Sequence, residues 1–281
     1  MKVENQTAYT QPPHYLEFLL EYLVCPVDNS MSLTAVRSPD GQITALKSED
    51  REYQVIGNVP CMIPDCGRRG KGYLTLWQEL QRSIWRDYQD GYKDFEYFSA
   101  EDDPKERAVG RIIGQMAEGL FLDVGCGVTP LPGYMAASSE SISWVGIDPY
   151  FGDAARRFPF AQGLGEYLPF RAGVFDGVLY AGSIDHVTDP LRCLERTWSV
   201  MKPQGRLIIW NDLAWKDSRY IVWKTMRALG LAWRYDGYHQ WKFTRESLEA
   251  LLKTAGFAIE QVVALSEPGD FLMVACVVGH I

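Results

Sequence analysis

The stretch Phe121-Leu-Asp-Val-Gly-Cys-Gly-Val-Thr-Pro130 decides the fold class of this chain. An apolar strand runs directly into Gly125 and Gly127, and glycines there let the backbone turn sharply at the carboxyl end of a strand. Open α/β sheets bind their ligands at that end. A dinucleotide-binding turn would have a third glycine where this sequence has Pro130, so NAD and FAD are disfavoured. A tight turn without a ligand remains an alternative.

Short apolar strands and helices alternate around this stretch. One helix is expected to start at Pro104, capped by Asp102 or Asp103, and to stop at Gly119. The final apolar runs flank a Pro268-Gly269 turn and should pair as an antiparallel hairpin. The pattern predicts a three-layer α/β domain on a mostly parallel sheet. The other predicted elements are strands at Leu120–Val124, Ser143–Ile147, Val174–Ala181 and Arg206–Trp210, and helices at Leu74–Tyr88, from cap Asp189 to Pro203, and from Thr244 to Gly256.

Composition excludes several classes of protein. With 47% hydrophobic and 23% charged residues, the 281-residue chain has the usage of a globular protein. A formal charge of -8 argues against nucleic-acid binding that depends on overall positive charge. We see no apolar run near the roughly 20 residues of a membrane span and no secretory signal. The six scattered cysteines include no Cys-x-x-Cys pair, so the expected location is the reduced cytoplasm.

An acidic residue ends the second predicted strand, Trp144-Val-Gly-Ile-Asp148, 21 residues after Gly127. A carboxylate at this place can accept hydrogen bonds from both hydroxyls of a bound ribose. The alternative is a surface aspartate that closes a turn before Pro149.

Several ordered landmarks between about Glu106 and Val278 resemble those of class I S-adenosylmethionine-dependent methyltransferases, most of all the small-molecule branch often called type 11. The resemblance implies a Rossmann-like fold with a mostly parallel seven-stranded sheet and a C-terminal antiparallel hairpin. It also implies S-adenosyl-L-methionine as cofactor, S-adenosyl-L-homocysteine as product, and no metal. The landmarks are Leu122-Asp-Val-Gly-Cys-Gly127, Val145-Gly-Ile-Asp148, Gly165-Glu-Tyr-Leu-Pro-Phe170, Phe175-Asp-Gly-Val178, Asp185-His-Val187, Met201-Lys-Pro-Gln-Gly205, Phe243-Thr-Arg-Glu-Ser-Leu248 and Ala255-Gly-Phe257.

The same resemblance implies which residues surround the cofactor. One departure concerns adenine: many relatives have an acid two residues before Glu166, where this chain has Leu164. The implied contacts are Asp123, Gly125, Cys126 and Gly127 at the methionine end, Asp148 at the ribose, Glu166 and Leu168 beside adenine, and Tyr180 and Ala181 on the methyl-donor side.

Methyl transfer from a sulfonium mainly requires alignment, and a base is needed only when the acceptor must lose a proton. The candidates for this role are Asp185 and His186, after the strand that faces the methyl group, and His239. Alternatively, these histidines only pack within loops.

An insertion at about 212–243 holds eight aromatic residues in 32, with six basic side chains against three acidic ones. Such a segment can act as a lid over a small-molecule acceptor that is aromatic or anionic. A satellite core, a homodimer contact or a solvated helix face are the alternatives. The segment after the predicted strand Val174–Ala181, Ala181-Gly-Ser-Ile-Asp185, lacks the Asn-Pro-Pro-Tyr element of adenine methyltransferases, so a nucleic-acid substrate is not favoured.

Residues 1–70 resemble the small zinc-ribbon domain of the methyltransferase-activator family, ahead of a methyltransferase domain at 71–281. Structural zinc needs four Cys or His ligands, and Cys25 has Asp28 where its partner should be. We therefore expect a metal-free, β-rich module that covers or stabilises the catalytic domain, followed by a Gly- and Arg-rich linker at 66–72.

The predicted function is methyl transfer from S-adenosylmethionine to oxygen, nitrogen or carbon of a small metabolite. One alternative is an RNA-modifying methyltransferase, suggested by the ribbon-like module and the basic linker. The other is a non-catalytic, SAM-binding regulatory protein, suggested by Leu164 and by the metal-free ribbon-like module.

Overall fold

The computed structural model describes residues 10–64, 101–150, 154–212, 218–229, 231, 239–265 and 270–277. These residues form a four-stranded sheet and a seven-stranded sheet. Within them, no helix has the length and apolar character needed to cross a membrane. The predicted linker at 66–72 and the helix at Leu74–Tyr88 lie outside the described residues, as does part of the insertion.

The N-terminal sheet is antiparallel throughout, with strands β1 Thr34–Arg37, β2 Ile43–Lys47, β3 Glu52–Ile56 and β4 Val59–Pro60. Gly57 and Asn58 join β3 to β4 with φ of 56° and 64°, as a two-residue type I′ hairpin requires. Helix α1, Pro13–Leu20, precedes the strands and buries Leu16 and Leu19. The β-rich prediction for this region missed this helix, which begins with proline at its first position.

The large sheet contains strands β5 Gly119–Val124, β6 Ile142–Asp148, β7 Phe160–Gln162, β8 Phe175–Ala181, β9 Met201–Asp212, β10 Phe257–Ala264 and β11 Asp270–Val277. Their order is β10-β11-β9-β8-β5-β6-β7. Neighbours from β9 to β7 are parallel, whereas β11 runs antiparallel to both β9 and β10. The predicted fold class, a mostly parallel seven-stranded sheet with a C-terminal antiparallel hairpin, is therefore confirmed.

The helices are α2 Pro104–Met116, α3 Gly133–Ala136, α4 Pro190–Val200, α5 Ser218–Ala228 and α6 Arg245–Thr254. The predicted caps are present: Asp103 accepts from the Glu106 N–H at 2.7 Å, and Asp189 caps α4. Helix α2 ends at Met116, so the expectation that Gly119 stops it was wrong. Gly119, with φ of 88°, instead opens β5. Strand β9 starts at Met201 and is longer than predicted.

The connection between β6 and β7 spans residues 149–159, close to the dozen or so residues that a parallel crossover needs, and such crossovers usually contain a helix. Its described residues, 149–150 and 154–159, contain no helix. Here the N-terminal sheet packs instead, because α1 and β4 both contact β7. The Met62 N–H donates to the Gln162 carbonyl at 2.7 Å, and the buried core is continuous from Leu19 and Leu46 to the large sheet.

Gln11 joins the two sheets through a buried side chain. Its Nε2 donates to the carbonyls of Asn58 at 2.6 Å and Phe160 at 3.1 Å, while its Oε1 accepts from the Phe160 N–H at 3.1 Å. The N–H and carbonyl of Phe160, in the edge strand β7, are thus hydrogen-bonded by Gln11, which lies 149 positions earlier in the chain.

Replacing Gln11 by alanine should lower the free energy of unfolding by about 2 kcal/mol, because buried main-chain groups lose their partners. Denaturant unfolding measures the change. Gln42→Ala, at an exposed position in the turn between β1 and β2, is the matched control and should change little. Equal stability of the two variants would show that Gln11 does not hold the sheets together.

Candidate cofactor and acceptor site

The glycine turn after β5 has the backbone conformation that its residues favour. Gly125 and Gly127 have backbone φ angles of 78° and 69°, values that residues other than glycine rarely adopt. A Cβ on Gly125 would lie 2.5 Å from Cβ of Ser183, so this glycine is required by packing. A Cβ on Gly127 would meet no atom within 4 Å. Gly127 therefore leaves an open cradle at the carboxyl end of β5.

Asp148, at the end of β6, is bonded to that turn. Its Oδ2 accepts from the Gly127 N–H at 3.0 Å, and its Oδ1 accepts from the Tyr150 N–H at 2.8 Å. Burial raises the pKa of Asp148, while the charge of Arg156 acts in the opposite direction. A carboxylate oxygen can accept two hydrogen bonds, so each oxygen retains capacity for another donor.

Arg156 is a site residue that the sequence did not single out. Its side chain is only 1% exposed, and its guanidinium lies 3.5 Å from the centroid of the Phe160 ring. Its Nη2 donates to the carbonyls of Gly127 and, at 2.9 Å, Tyr150. Arg156 thus holds the glycine turn against the segment after β6. In the sequence Ala154-Ala-Arg-Arg-Phe158, an arginine is expected to be exposed at the surface. No local pattern therefore predicts that Arg156 is a buried site residue.

Asp123, the acid of the glycine stretch, is completely buried. The Tyr134 hydroxyl donates to its Oδ2 at 2.6 Å, while its Oδ1 has no hydrogen-bond partner. Burial raises the pKa of Asp123 to about 7. Burial also raises the pKa of the neighbouring Cys126 thiol, which stays protonated at neutral pH.

The residues expected beside adenine have structural contacts. Glu166 Oε1 accepts from the N–H groups of Thr188 at 2.9 Å and Asp189 at 3.3 Å, just before α4. The Leu168 side chain is fully buried in the core, and its carbonyl accepts from Asn29 at 3.3 Å. Both side chains therefore face the protein interior rather than an open surface.

At the end of β8, the Tyr180 side chain is buried, whereas Ala181 is partly accessible. The Tyr180 hydroxyl lies 2.7 Å from Thr197 Oγ1, so this side chain packs under α4. Ala181 is half-buried at the strand end, and a Cβ on the following Gly182, with φ of 64°, would meet nothing within 4 Å. Only the main chain of Tyr180 can line a ligand at this end, whereas Ala181 and Gly182 border open space.

The three predicted acceptor-side residues come together in space. His186 Nε2 lies 3.8 Å from Asp185 Oδ1, and His239 Nε2 lies 3.9 Å from Asp185 Oδ2. The imidazole centroids are 4.7 Å apart. Trp241 fixes this arrangement, because its main-chain N–H donates to the Asp185 carbonyl at 2.9 Å and its indole donates to the Val187 carbonyl at 3.0 Å.

The described part of the insertion forms one wall of a groove of about 350 Å³. Arg227 lies 3.4 Å from the Trp241 ring centroid, and the buried indole nitrogen of Trp223 has no hydrogen-bond partner. Aromatic and basic side chains thus line the same groove, and one of them, Trp241, is bonded to Asp185 through its main chain. The lining residues are Asp189, Pro190, Leu191, Tyr220, Trp223, Lys224, Arg227, Trp241, Lys242, Phe243, Ser247 and Leu251.

Comparison with solved structures returns methyltransferases at low sequence identity. The 1,6-didemethyltoxoflavin N1-methyltransferase of Burkholderia thailandensis, solved with 1,6-didemethyltoxoflavin and S-adenosylhomocysteine, is 18% identical with a TM-score of 0.52, over 78% of this chain and 96% of that one. A SAM-dependent methyltransferase of Thermotoga maritima, described as a possible histamine N-methyltransferase, is 20% identical with a TM-score of 0.48, over 69% and 99%. The first of these likenesses agrees with the fold.

A third match is a chain in the complex of the Haloferax volcanii Trm112 methyltransferase activator with a methyltransferase. It is 15% identical with a TM-score of 0.47, over 67% of this chain and 95% of that one. No curated protein matches this sequence.

A comparison with protein families matches residues 96–262 to a family described as a methyltransferase domain. The match includes the glycine turn, Asp148, and the cluster of Asp185, His186 and His239. It covers more than half of the 281 residues, and the chain therefore belongs to this methyltransferase-domain family.

Proposed function

We propose that the protein transfers a methyl group from S-adenosylmethionine to oxygen, nitrogen or carbon of a small molecule. The observation that carries the proposal is the bond between Asp148 and the N–H of Gly127, which joins two adjacent strand ends around an open cradle. When bound, S-adenosylmethionine supplies the activated methyl group on its sulfonium.

The residues around the cradle fit such a cofactor. The remaining acceptor capacity of Asp148 suits ribose hydroxyls, and the unpartnered oxygen of Asp123 suits a protonated amino group. Gly125, Cys126 and Gly127 supply the turn. Glu166 and Leu168 would contact adenine through main-chain groups and would shape its pocket, because their side chains are buried.

On the acceptor side, Ala181 and the Asp185, His186 and His239 cluster follow the end of β8. Their role in this proposal is to orient the accepting atom and to take up its proton where the chemistry requires it. The aromatic and basic groove beside the cluster favours an acceptor with an aromatic or apolar body and an anionic group. The basic linker that suggested the RNA alternative lies outside the described residues.

The N-terminal sheet has a supporting role in this proposal. It covers the β7 edge and thereby holds the strand next to Asp148 in place. It contributes to the cofactor site indirectly, through β7.

Isothermal titration with S-adenosylhomocysteine tests the proposal without an identified acceptor. We expect micromolar or tighter binding, reduced about tenfold in Asp148→Ala as the ribose hydrogen bonds are lost. The exposed Asp102→Ala is the matched control and should bind as the parent does. Absence of binding by the parent protein would overturn the cofactor assignment, and unchanged binding by Asp148→Ala would overturn the ribose assignment.

A further inference from the structure

We propose that Asp185, His186 and His239 bind a divalent transition-metal ion of the zinc class. One ligand atom from each residue lies within 4.8 Å of the other two. Two imidazoles and one carboxylate form a ligand set that suits Zn²⁺, Co²⁺, Ni²⁺ and Fe²⁺ and leaves coordination positions open.

The distances within the cluster favour an ion over direct hydrogen bonds. The separations of 3.8 and 3.9 Å between the histidine Nε2 atoms and the Asp185 oxygens exceed a normal hydrogen bond. They are also shorter than the about 4.6 Å between two atoms bonded to the same water. Ligand atoms about 2.1 Å from a tetrahedral ion lie about 3.4 Å apart. The three ligand atoms, which now lie within 4.8 Å of one another, would therefore move closer together through side-chain rotations when the ion binds.

A second observation concerns Asp185 itself. The residue is 9% exposed, and its Oδ1, the atom nearest His186 Nε2, is buried without a hydrogen-bond partner. A buried carboxylate oxygen without a partner is costly, whereas coordination of a cation would satisfy it. The two histidines are partly exposed, with side chains 39% and 44% accessible, so an ion can enter from their side.

The scaffold holds the ligands from two directions. Asp185 and His186 follow β8, while His239 comes from the segment that Trp241 ties back to Asp185 and Val187. Ligands from two chain segments converge on one point, as in a preformed metal site. With an ion bound, the three side chains would act as its ligands instead of taking up a proton, and the ion would bind an anionic oxygen of the acceptor, a use that rests on the proposed function; the binding of the ion does not.

The test is a titration of the full-length, chelator-treated protein with Co²⁺ and Zn²⁺. We expect one ion per chain, with a visible Co²⁺ spectrum of nitrogen and oxygen ligands. Affinity for Zn²⁺ should fall at least tenfold in His239→Ala and in Asp185→Asn. The matched control is His14→Ala, since His14 is exposed on α1 and is not one of the three ligands.

Thermal unfolding establishes that each variant is folded before its affinity is compared. The proposal is overturned if the parent protein binds no ion at millimolar concentration, if His239→Ala binds as the parent does, or if the Co²⁺ spectrum shows thiolate charge transfer. Titration of S-adenosylhomocysteine with and without Zn²⁺ separates the two proposals. Metal binding without S-adenosylhomocysteine binding would leave the ion site standing while the cofactor assignment fails.

Discussion

Gly127→Ala is expected to lower the affinity for S-adenosylhomocysteine about a hundredfold while leaving the protein folded. The added methyl group meets no protein atom within 4 Å, so it projects into the open cradle beside Asp148. A ligand that lies against the Gly127 backbone must then move or be excluded. The effect of the substitution is on binding rather than on packing.

The backbone strain of this substitution can be measured separately. Gly173 has φ of 65°, and a Cβ on it would meet no atom within 4 Å, as at Gly127. It lies in the turn before β8, apart from the Asp148 cradle. Both alanine variants should lose about 1 kcal/mol of unfolding free energy from the left-handed conformation. Calorimetric titration then compares their affinities, and equal affinity in Gly127→Ala and Gly173→Ala would place the ligand elsewhere.

The second large effect is a pH dependence of stability that originates at Asp123. Burial raises its pKa from 3.8 to about 7 in the folded protein. Because the folded protein holds the proton of Asp123 more tightly than the unfolded chain does, the protonated carboxyl favours the folded state. This contribution to the unfolding free energy is complete below about pH 4 and is lost as the pH rises through 7. The difference corresponds to on the order of 4 kcal/mol. Asp123→Asn removes this dependence, so the variant should gain stability relative to the parent between pH 4 and 7.

Denaturant unfolding of the parent protein and of Asp123→Asn between pH 4 and 7 measures how their difference in unfolding free energy varies with pH. Any effect of the asparagine that is the same at every pH does not alter this variation. Asp176→Asn is a control of opposite sign. Partial burial would raise the pKa of Asp176, but hydrogen bonds from Lys202 and the Leu120 N–H outweigh it and lower the pKa. The contribution of Asp176 is therefore lost as the pH falls. A difference between parent and Asp123→Asn that does not vary with pH would contradict the raised pKa.

Local signals were sufficient to predict much of the large sheet. Capping residues such as Asp103, Asp189 and Thr244 act within one helical turn, so their effect is readable from neighbouring residues. The glycine turn and Asp148 were predictable for a similar reason, because parallel strands bring their carboxyl ends to one edge.

Contacts between distant segments could not be predicted in this way. Gln11 pairs with Phe160, and Asp185 lies close to His239. Both contacts depend on how whole helices and strands pack, which the periodicity of apolar residues in the sequence does not predict. The role of Arg156 was hidden for another reason. Its buried position depends on the conformation of the connection after β6, for which the sequence carries no local pattern.

The contact between Gln11 and β7 also sets an order of events during protein synthesis. Gln11 is made 149 residues before Phe160, which at ribosomal speeds is a delay of roughly 7 to 30 s. During that interval the N-terminal segment has left the ribosome, while the strand that covers Leu19 and Met62 does not yet exist. This apolar surface is then available to molecular chaperones, and the N-terminal sheet can complete its burial only after β7 has been synthesised.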